Sequence, residues 1–519
     1  MTEMTAEKRV EQVAERVVAG RNWSLPDLTR DDPRGRGLTR ADFEKVSENG
    51  FGDGYNSYTH SMCYFEGRVY AGTSRATMLL LGAGDKGGMK DVSLDAWPVE
   101  LDARVYTPDF ELGPGRAEIW RMDPPRGAWH RVYQAPLVYG TDGTHMSRDL
   151  GYRAMAVYQG ESDHKPVMYV SNWSRSRGEG MQILRTEDGE TFAPVGPKGL
   201  GGRDATSTRS LVVFKDMLFT SPTGSTGGRQ NASGIAAVLV TRDPSKGWEA
   251  ANTRGFGNLK NLGVFEMITT RDYLYAGTAN LGEGYELWRT KAEGNPPFEW
   301  ERMLKAGADR GKYNQGCVSM AELNGCIFIG SGIQKGGIDK ENKLGPAGPE
   351  LVRLNPDGSH DVIMGERRMP GGPRSGMLPG WNNVFCGSIY KMNVHDGWLY
   401  AGTQNWMVFL LWRDLVKLDT PAARLLRRIP LNDLVEATGG YDVWRSCDGE
   451  TWMPVTRSGF ENPYNHGVRN ILSTPHGVYI GSQNQFGPRS AFRTEDGGWE
   501  YRDNPRGGTE VWLGSLDKR

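Results

Sequence analysis

The sequence predicts an all-β protein: a seven-bladed β-propeller with a short N-terminal helical and extended arm and long insertions between strands. Three observations lead to this fold class. A short strand motif recurs seven times, an apolar run precedes each copy, and a tight turn usually joins the two. The 519 residues include 70 glycines, 16 tryptophans, 20 tyrosines and 16 phenylalanines, a composition typical of many short aromatic strands joined by turns.

The recurring motif is an aromatic residue followed by small residues, as in Val69-Tyr70-Ala71-Gly72-Thr73. Its seven copies begin at Val69, Met168, Leu218, Leu274, Ile327, Leu399 and Val478. The apolar runs that precede them contain Met62, Met155, Leu211, Met267, Met320, Met392 and Ile471. Turns such as Glu66-Gly67 connect the two runs, so we predict that they are the first and second strands of a hairpin.

A third run follows each motif and is predicted to be the third strand. Its copies are 118–121, 183–186, 238–241, 286–290, 350–353, 442–446 and 491–494. A turn and a fourth strand close most copies, and four strands in each of seven copies predict seven blades. Two separate β domains are the alternative, but no change in composition divides the copies. The final run, 510–513, is predicted to complete a blade begun at the other terminus.

The predicted domains are an N-terminal helix and arm over residues 1–45 and the propeller over residues 46–519. Long insertions separate some of the strands. They lie at 79–116, 331–349, 365–380 and 410–438. Loops of this length in a compact ring are usually functional or disordered. Residues 410–434 have helical spacing and are predicted to form a small lid helix.

Charge and motif content exclude several classes of function. Lys and Arg total 62 while Asp and Glu total 63, which argues against broad electrostatic binding to nucleic acid. No window approaches the roughly eighteen apolar residues of a membrane span, and the N-terminus lacks the apolar segment of a secretory signal, so a cytoplasmic location is expected. Five cysteines without a CxxC pair predict neither a disulfide framework nor a zinc ribbon.

The starts of first strands and the turns between second and third strands share one face of a propeller, so polar residues there outline a candidate site. From the first-strand group we select Tyr58, His60, Arg153, Arg209 and Glu266. Together with Arg469, the two arginines are expected to bind a carboxylate or another anion. The alternative of equal weight is that the arginines pair with acidic residues such as Glu266 and fill the channel.

The turn group contains one position that recurs five residues after the second-strand aromatic residue. Arg75, Asn280, Asn405 and Asn484 occupy this position. Asparagine there readily caps its own turn, which favours a structural role for Asn280 and Asn484. Arg75 departs from the pattern and is therefore a functional candidate, with a surface ion pair as the alternative.

No phosphate-binding glycine loop and no HExxH motif occur, and no cofactor is predicted with the exception of a possible Ca²⁺ site. The segment around Asp339 and Glu341 has oxygen ligands suited to Ca²⁺, although a solvated polar loop is the simpler interpretation.

Several irregular stretches resemble one bacterial propeller family. They are 52–62, 148–157, 209–212, 218–224, 264–267, 330–334, 345–351 and 395–403. Together they resemble the propeller of the cylindrocyclophane-forming alkylating cyclase and its relatives, and the likeness runs from about Phe51 to the end of the chain. Members of that family join an alkyl chloride carbon to an aromatic carbon or a carboxylate oxygen.

The resemblance implies that Arg75 and Tyr441 polarise a leaving chloride and that Thr403 lies in the substrate pocket. Asn405 stands where the family has a carboxylate base. An amide cannot accept the proton, so another base or a charged nucleophile would be needed. Leu378 and Trp406 are expected to contact the substrate. The calcium-binding repeats of some relatives are absent from this sequence.

The predicted function is therefore an enzyme that forms a C–C or C–O bond by nucleophilic substitution at an alkyl halide carbon. Its partner would be a small molecule with a long alkyl chain, held against an apolar wall at 78–81 and 406–411, although core packing explains these residues equally well. Two alternatives stay open: a glycoside hydrolase or lyase that uses the arginine cluster and Glu266, and a non-catalytic binding propeller. The oligomeric state is not predicted.

Overall fold

A computed structural model describes most of the chain, and the chain is mostly β. The described residues are 33–79, 94–100, 115–175, 177–224, 236–333, 337, 339, 342–345, 347–368, 371–413, 424 and 426–517. The strands form a series of antiparallel four-stranded units in the order of the chain, which is the arrangement of a β-propeller. The predicted N-terminal helix falls in residues 1–32, outside the described residues.

The first three units follow the repeat. Unit 1 consists of Asn56–Phe65, Arg68–Arg75, Glu118–Met122 and Trp129–Gln134. Unit 2 consists of Asp149–Tyr158, Val167–Ser174, Ile183–Thr186 and Ala193–Val195. Unit 3 consists of Ser207–Phe214, Met217–Thr223, Leu239–Thr241 and Glu249–Ala250.

The next three units have the same order. Unit 4 consists of Gly263–Thr269, Leu274–Ala279, Leu287–Thr290 and Glu301–Leu304. Unit 5 consists of Gly316–Leu323, Cys326–Gly332, Leu351–Leu354 and His360–Met364. Unit 6 consists of Cys386–His395, Trp398–Asn405, Val443–Ser446 and Met453–Thr456.

Unit 7 combines both ends of the described chain. It consists of Gly467–Thr474, Gly477–Gln483, Val511–Gly514 and Phe43–Lys45. Phe43 pairs with Gly514 and Lys45 with Trp512, so residues 43–45 form a strand of the sheet rather than the end of an arm. The first strand of each unit contacts that of the next, and the first strand of unit 7 contacts that of unit 1.

The structure corrects one predicted strand. Residues 491–494 were expected to be the third strand of the last unit, but Arg489–Arg493 pairs instead with Trp499–Asp503 in a separate hairpin. Val511–Gly514 takes the third position, where its side chains are buried. The reason is that a third strand lies between the second and fourth strands of its unit with its side chains buried, whereas Arg489 and Arg493 are exposed.

Short helical segments and one further hairpin complete the described elements. The hairpin joins Leu137–Tyr139 to His145–Ser147. The helical segments are Pro33–Arg36, Arg40–Asp42, Asn49–Gly52, Gly199–Gly202, Arg254–Gly257, Ala306–Asp309, Gly311–Tyr313, Met407–Trp412 and Leu431–Thr438. Much of the lid helix predicted over 410–434 lies outside the described residues, which omit 414–423 and 425. Among the described residues, helix 431–438 begins directly after Pro430, which occupies its N-cap.

Glycine in the recurring motif is explained by packing between units. A Cβ atom on Gly72 would lie 2.7 Å from Cβ of Tyr152, and one on Gly402 would lie 2.3 Å from Cβ of Val468. The first strand of the following unit therefore passes directly over this position, and any side chain would force the two strands apart.

A buried polar network recurs in units 1, 4, 5 and 7. In unit 1, the Asn56 amide donates to the Glu118 carboxylate at 3.0 Å and to the Gly50 carbonyl at 2.9 Å. The indole of Trp120 donates to the same carboxylate at 3.0 Å. The equivalent Asn–carboxylate pairs are Asn261–Glu286, Asn314–Glu350 and Asn465–Glu510. This network connects the start of each first strand to the third strand of the same unit.

Candidate functional site

A cavity of about 510 Å³ lies among the first strands of all seven units. Arg153 and Arg209 line it, and Arg469 directly precedes the lining residue Asn470. These three arginines come from units 2, 3 and 7, and each is close enough to the other two to influence them electrostatically. Three guanidinium groups therefore meet at the cavity between the first strands; the prediction that they bind a carboxylate stays a prediction.

No carboxylate forms a salt bridge with this cluster within the part of the chain that the structure describes. None of the three arginines forms a salt bridge there, and the buried Nε atom of each has no hydrogen-bond partner. Aromatic rings support two of the guanidinium groups: Arg209 lies over Phe265 at 3.6 Å and Arg469 over Tyr390 at 5.2 Å. The rings hold the planar groups in place while their hydrogen-bond donors remain available.

Crowding of like charges is evident in the pKa values of the cluster. Burial, followed by the charges of Arg209 and Arg469, holds the pKa of Arg153 well below its usual range. Burial and the charge of Arg469 lower the pKa of Arg209 to about 10. Guanidinium groups nevertheless stay protonated at neutral pH. An anion in the channel would relieve this repulsion.

Tyr58 and His60 lie close to Arg153 and Arg469. The Tyr58 hydroxyl accepts a hydrogen bond from Gln483 Nε2 at 2.8 Å and donates to Gln485 Oε1 at 2.9 Å. The Tyr58 and His60 rings stack with centroids 5.6 Å apart. Burial, together with the arginine charges, holds the pKa of His60 well below its usual range, so the imidazole is neutral.

Glu266 forms its salt bridge with Lys391, and its charge also acts on Arg209 from a longer distance. Its Oε2 accepts a hydrogen bond from Lys391 Nζ at 3.0 Å, and both residues line the cavity. Lys391 and Tyr390 were not predicted as site residues, because they lie inside an apolar run. A lysine in the middle of such a run indicates a position that faces the channel, because the channel is where a first strand can expose a charged side chain.

Arg75 lies in unit 1 and has a different environment. Its side chain is 2% exposed; its Nη1 donates to Glu118 at 3.0 Å and its Nη2 to Asp53 at 2.5 Å. The guanidinium thus joins the recurring polar network of unit 1. In units 4 and 7, the equivalent Asn280 and Asn484 instead donate to the asparagine of the network.

Tyr441 is fully buried in the core around Phe460, and its hydroxyl has no hydrogen-bond partner in the described structure. Burial and the neighbouring Glu510 carboxylate raise its pKa well above the usual range. Tyr285 is its counterpart in unit 4. Both tyrosines precede the third strand, are completely buried and have an unpartnered hydroxyl. Asp53 and Glu118, which bind Arg75, are not among the neighbours described for Tyr441.

The remaining predicted contacts lie around unit 6. Thr403 Oγ1 accepts a hydrogen bond from the Asp442 amide at 2.8 Å, and Asn405 Oδ1 accepts one from the Met407 amide at 2.8 Å. Asn405 Nδ2 and the Trp406 indole have no partner among the described residues. Leu378 lies in a loop and is 47% exposed. The structure therefore brings five of the predicted site residues together around the arginine cluster: Tyr58, His60, Arg153, Arg209 and Glu266. The other six lie elsewhere: Arg75, Thr403, Asn405, Trp406, Tyr441 and Leu378.

The segment considered for Ca²⁺ is only partly described. Asp339 accepts hydrogen bonds from the Asn342 amide groups and, at 2.6 Å, from Gln315 Nε2. Glu341 lies outside the described residues. Among the residues that the structure describes, no group of three or more His, Cys, Asp or Glu side chains is arranged to hold a metal ion.

Unit 6 has the shorter Asp442 where units 1, 4, 5 and 7 have glutamate. Trp444 Nε1 donates to it at 3.4 Å, Arg457 is 3.7 Å away and Oδ1 has no partner in the described structure. Burial raises the pKa of Asp442 from 3.8 to about 6. The folded state therefore binds more protons than the unfolded state between these values, and stability falls as the pH rises through this window.

We expect Asp442→Asn to stabilise the protein at pH 7 to 8 by up to about 3 kcal/mol, because a two-unit pKa shift corresponds to that energy. At about pH 3, where Asp442 is mostly protonated in both states, wild type and variant should differ little. Urea unfolding at both pH values measures the two differences. A variant that is equally or less stable at both pH values would contradict this account.

No helix in the described residues is both long enough and apolar enough to cross a membrane.

Sequence comparison finds no matching family model and no matching curated protein. Among solved structures, the β-propeller domain of the trilobed protease from Pyrococcus furiosus is similar at 9% identity and a TM-score of 0.38, covering 85% of this chain and 96% of that one. Virginiamycin B lyase from Staphylococcus aureus is similar at 7% identity and a TM-score of 0.37, covering 73% and 99%. At these scores the matches support no argument about function, and the description of the fold rests on the strand pairings of this chain.

Proposed function

We propose that this chain is a closed seven-bladed β-propeller that binds an anionic small molecule in its central channel through Arg153, Arg209 and Arg469. The observation that supports this proposal is the meeting of three guanidinium groups that form no salt bridge within the described residues. Charges enclosed in this way reduce stability unless a counter-charge is bound. Natural proteins retain such arrangements chiefly where function requires them.

The chemistry of the cluster suits an anion. Arginine presents a planar set of donors that match the oxygens of carboxylates and phosphates, often two at a time. Each guanidinium comes from a different strand, so a ligand in the cavity can be contacted from several sides. The neutral His60 and the hydrogen-bonded Tyr58 hydroxyl add polar contacts without adding charge.

Inorganic phosphate is a suitable first probe. At constant ionic strength, it should raise the unfolding temperature of the wild type, because a ligand that binds only the folded state contributes about 2.7 kcal/mol at a hundred times its Kd. Arg209→Met should abolish this shift. Arg271→Met, at an exposed position in the turn after the first strand of unit 4, should keep it. An equal shift in Arg209→Met and wild type would disprove the proposed site.

A second candidate is nucleophilic substitution at an alkyl halide, with Arg75 and Tyr441 as the groups that hold the leaving halide. The observation that favours it is that Met78 and Leu79 pack in one apolar cluster with Val408 and Phe409, close to Asn405 in sequence. This cluster supplies the apolar wall that a long alkyl chain would need. The pairing of Arg75 with two carboxylates argues against it.

Tyr441→Phe tests this second candidate cleanly, since the Tyr441 hydroxyl has no partner to lose among the described residues. The variant should fold normally but release no chloride from a long-chain alkyl chloride that the wild type accepts. Tyr285→Phe removes the equivalent hydroxyl in unit 4 and should keep full turnover. Chloride release measured by ion chromatography, with product mass as confirmation, gives the result; unchanged release by Tyr441→Phe would remove Tyr441 from the mechanism.

A further inference from the structure

We infer that the ligand of the channel carries at least two negative charges, as in a phosphate ester or a di- or tricarboxylate. This inference rests on the proposed function and narrows the class of anion that the arginine cluster accepts.

The charge balance of the channel is the first argument. Arg153, Arg209 and Arg469 have no carboxylate partner in the described structure, while Lys391 is neutralised by Glu266. Glu322, which is exposed, also lines the cavity, so two net positive charges remain for a ligand. A monovalent anion would leave one of them uncompensated inside the protein, where the attraction between charges and the cost of leaving one unpaired both exceed their values in water.

The guanidinium donors of the three arginines approach the cavity from different strands. The three arginines extend from units 2, 3 and 7, and Arg209 and Arg469 are each held against an aromatic ring. One carboxylate has two oxygens and can face two guanidinium groups in bidentate fashion at most. A phosphate group, or two carboxylates on a short scaffold, has enough oxygens to meet all three.

The size of the cavity is consistent with such a ligand. About 510 Å³ lies within the usual range of small-molecule sites. A hydrogen-bonded chain of neutral groups lies near the cluster: Gln404 donates to Gln483 at 3.1 Å, and Gln483 donates to Tyr58, which is close to Arg153 and Arg469. These neutral groups can contact hydroxyl or carbonyl oxygens of the ligand without changing the charge balance.

A series of carboxylates with one, two and three charges tests the inference. Acetate, malonate and propane-1,2,3-tricarboxylate are titrated by calorimetry at pH 8 and constant ionic strength, with chloride kept low. We expect malonate to bind at least tenfold more tightly than acetate, and the tricarboxylate more tightly again. Arg469→Gln should reduce the advantage of the tricarboxylate over acetate at least tenfold, while Arg271→Gln should leave it unchanged.

Two outcomes separate this inference from the function on which it rests. If malonate and the tricarboxylate bind no more tightly than acetate, the ligand is not polyvalent, although phosphate-dependent stabilisation that requires Arg209 would still support an anion site. If the wild type shows no stabilisation by phosphate, the proposed function itself fails. Arg153→Gln repeats the test at a second position in case Arg469→Gln does not fold.

Discussion

Replacing Arg153 by methionine should increase the free energy of unfolding by about 1 to 2 kcal/mol and at the same time abolish anion binding. The guanidinium of Arg153 is surrounded by those of Arg209 and Arg469, and its pKa is held well below the usual range. Methionine has similar length and adapts to irregular space, so it removes the repulsion without leaving a large cavity. Residues of a functional site often lower the stability of the protein although they are needed for binding.

Arg353→Met is the matched control, because Arg353 is also buried but is paired with Asp361 at 2.7 Å and Glu450 at 2.9 Å. Its removal takes this buried partner from Glu450 and leaves Asp361 with the partly exposed Arg374, and should destabilise the protein by about 3 kcal/mol or more. Urea unfolding at low ionic strength measures both changes. Added phosphate should stabilise the wild type but not Arg153→Met. The difference between their free energies of unfolding should therefore become smaller. If Arg153→Met is destabilised like Arg353→Met, the cluster has a structural role.

The hairpins of the repeat could be predicted from the sequence because the signals are local. The aromatic residue, the glycine and the turn that define Val69–Thr73 lie within a few residues of one another, and each has a packing reason that the structure shows. The third strands were harder to predict: residues 491–494 have the same apolar and basic pattern as a true third strand but pair within their own hairpin. Pairing partners far along the chain decide such cases.

The polar contacts of the candidate site depend even more on distant pairing. Asn56 and Glu118 are separated by 62 residues, and nothing near either position indicates that they share a hydrogen bond. Lys391 and Glu266 are 125 residues apart, and the pair determines how much positive charge remains in the channel. Their positions at the starts of predicted first strands identified the arginines as candidates, whereas their lack of salt bridges is a property of the assembled first strands.

The second large effect is expected at the carboxylate that binds Arg75. Glu118→Gln should reduce the free energy of unfolding by about 3 to 5 kcal/mol, because it breaks the buried ion pair between Glu118 and Arg75. The side chains of Arg75 and Glu118 are 2% and 3% exposed, so solvent cannot replace the lost charge.

Glu286→Gln in unit 4 provides the matched comparison, since Glu286 has the same asparagine and tryptophan partners but an asparagine, Asn280, in place of Arg75. Its loss should amount to about 1 to 2 kcal/mol, because only hydrogen bonds and a longer contact with the exposed Arg302 weaken. The amount by which the loss for Glu118→Gln exceeds the loss for Glu286→Gln then measures the contribution of the Arg75–Glu118 pair. Arg75→Asn, which recreates the arrangement of unit 4, should abolish that excess in a double-mutant cycle. Equal losses in the two units would mean that Arg75 contributes little to stability, and its guanidinium would then be available for the leaving-group role.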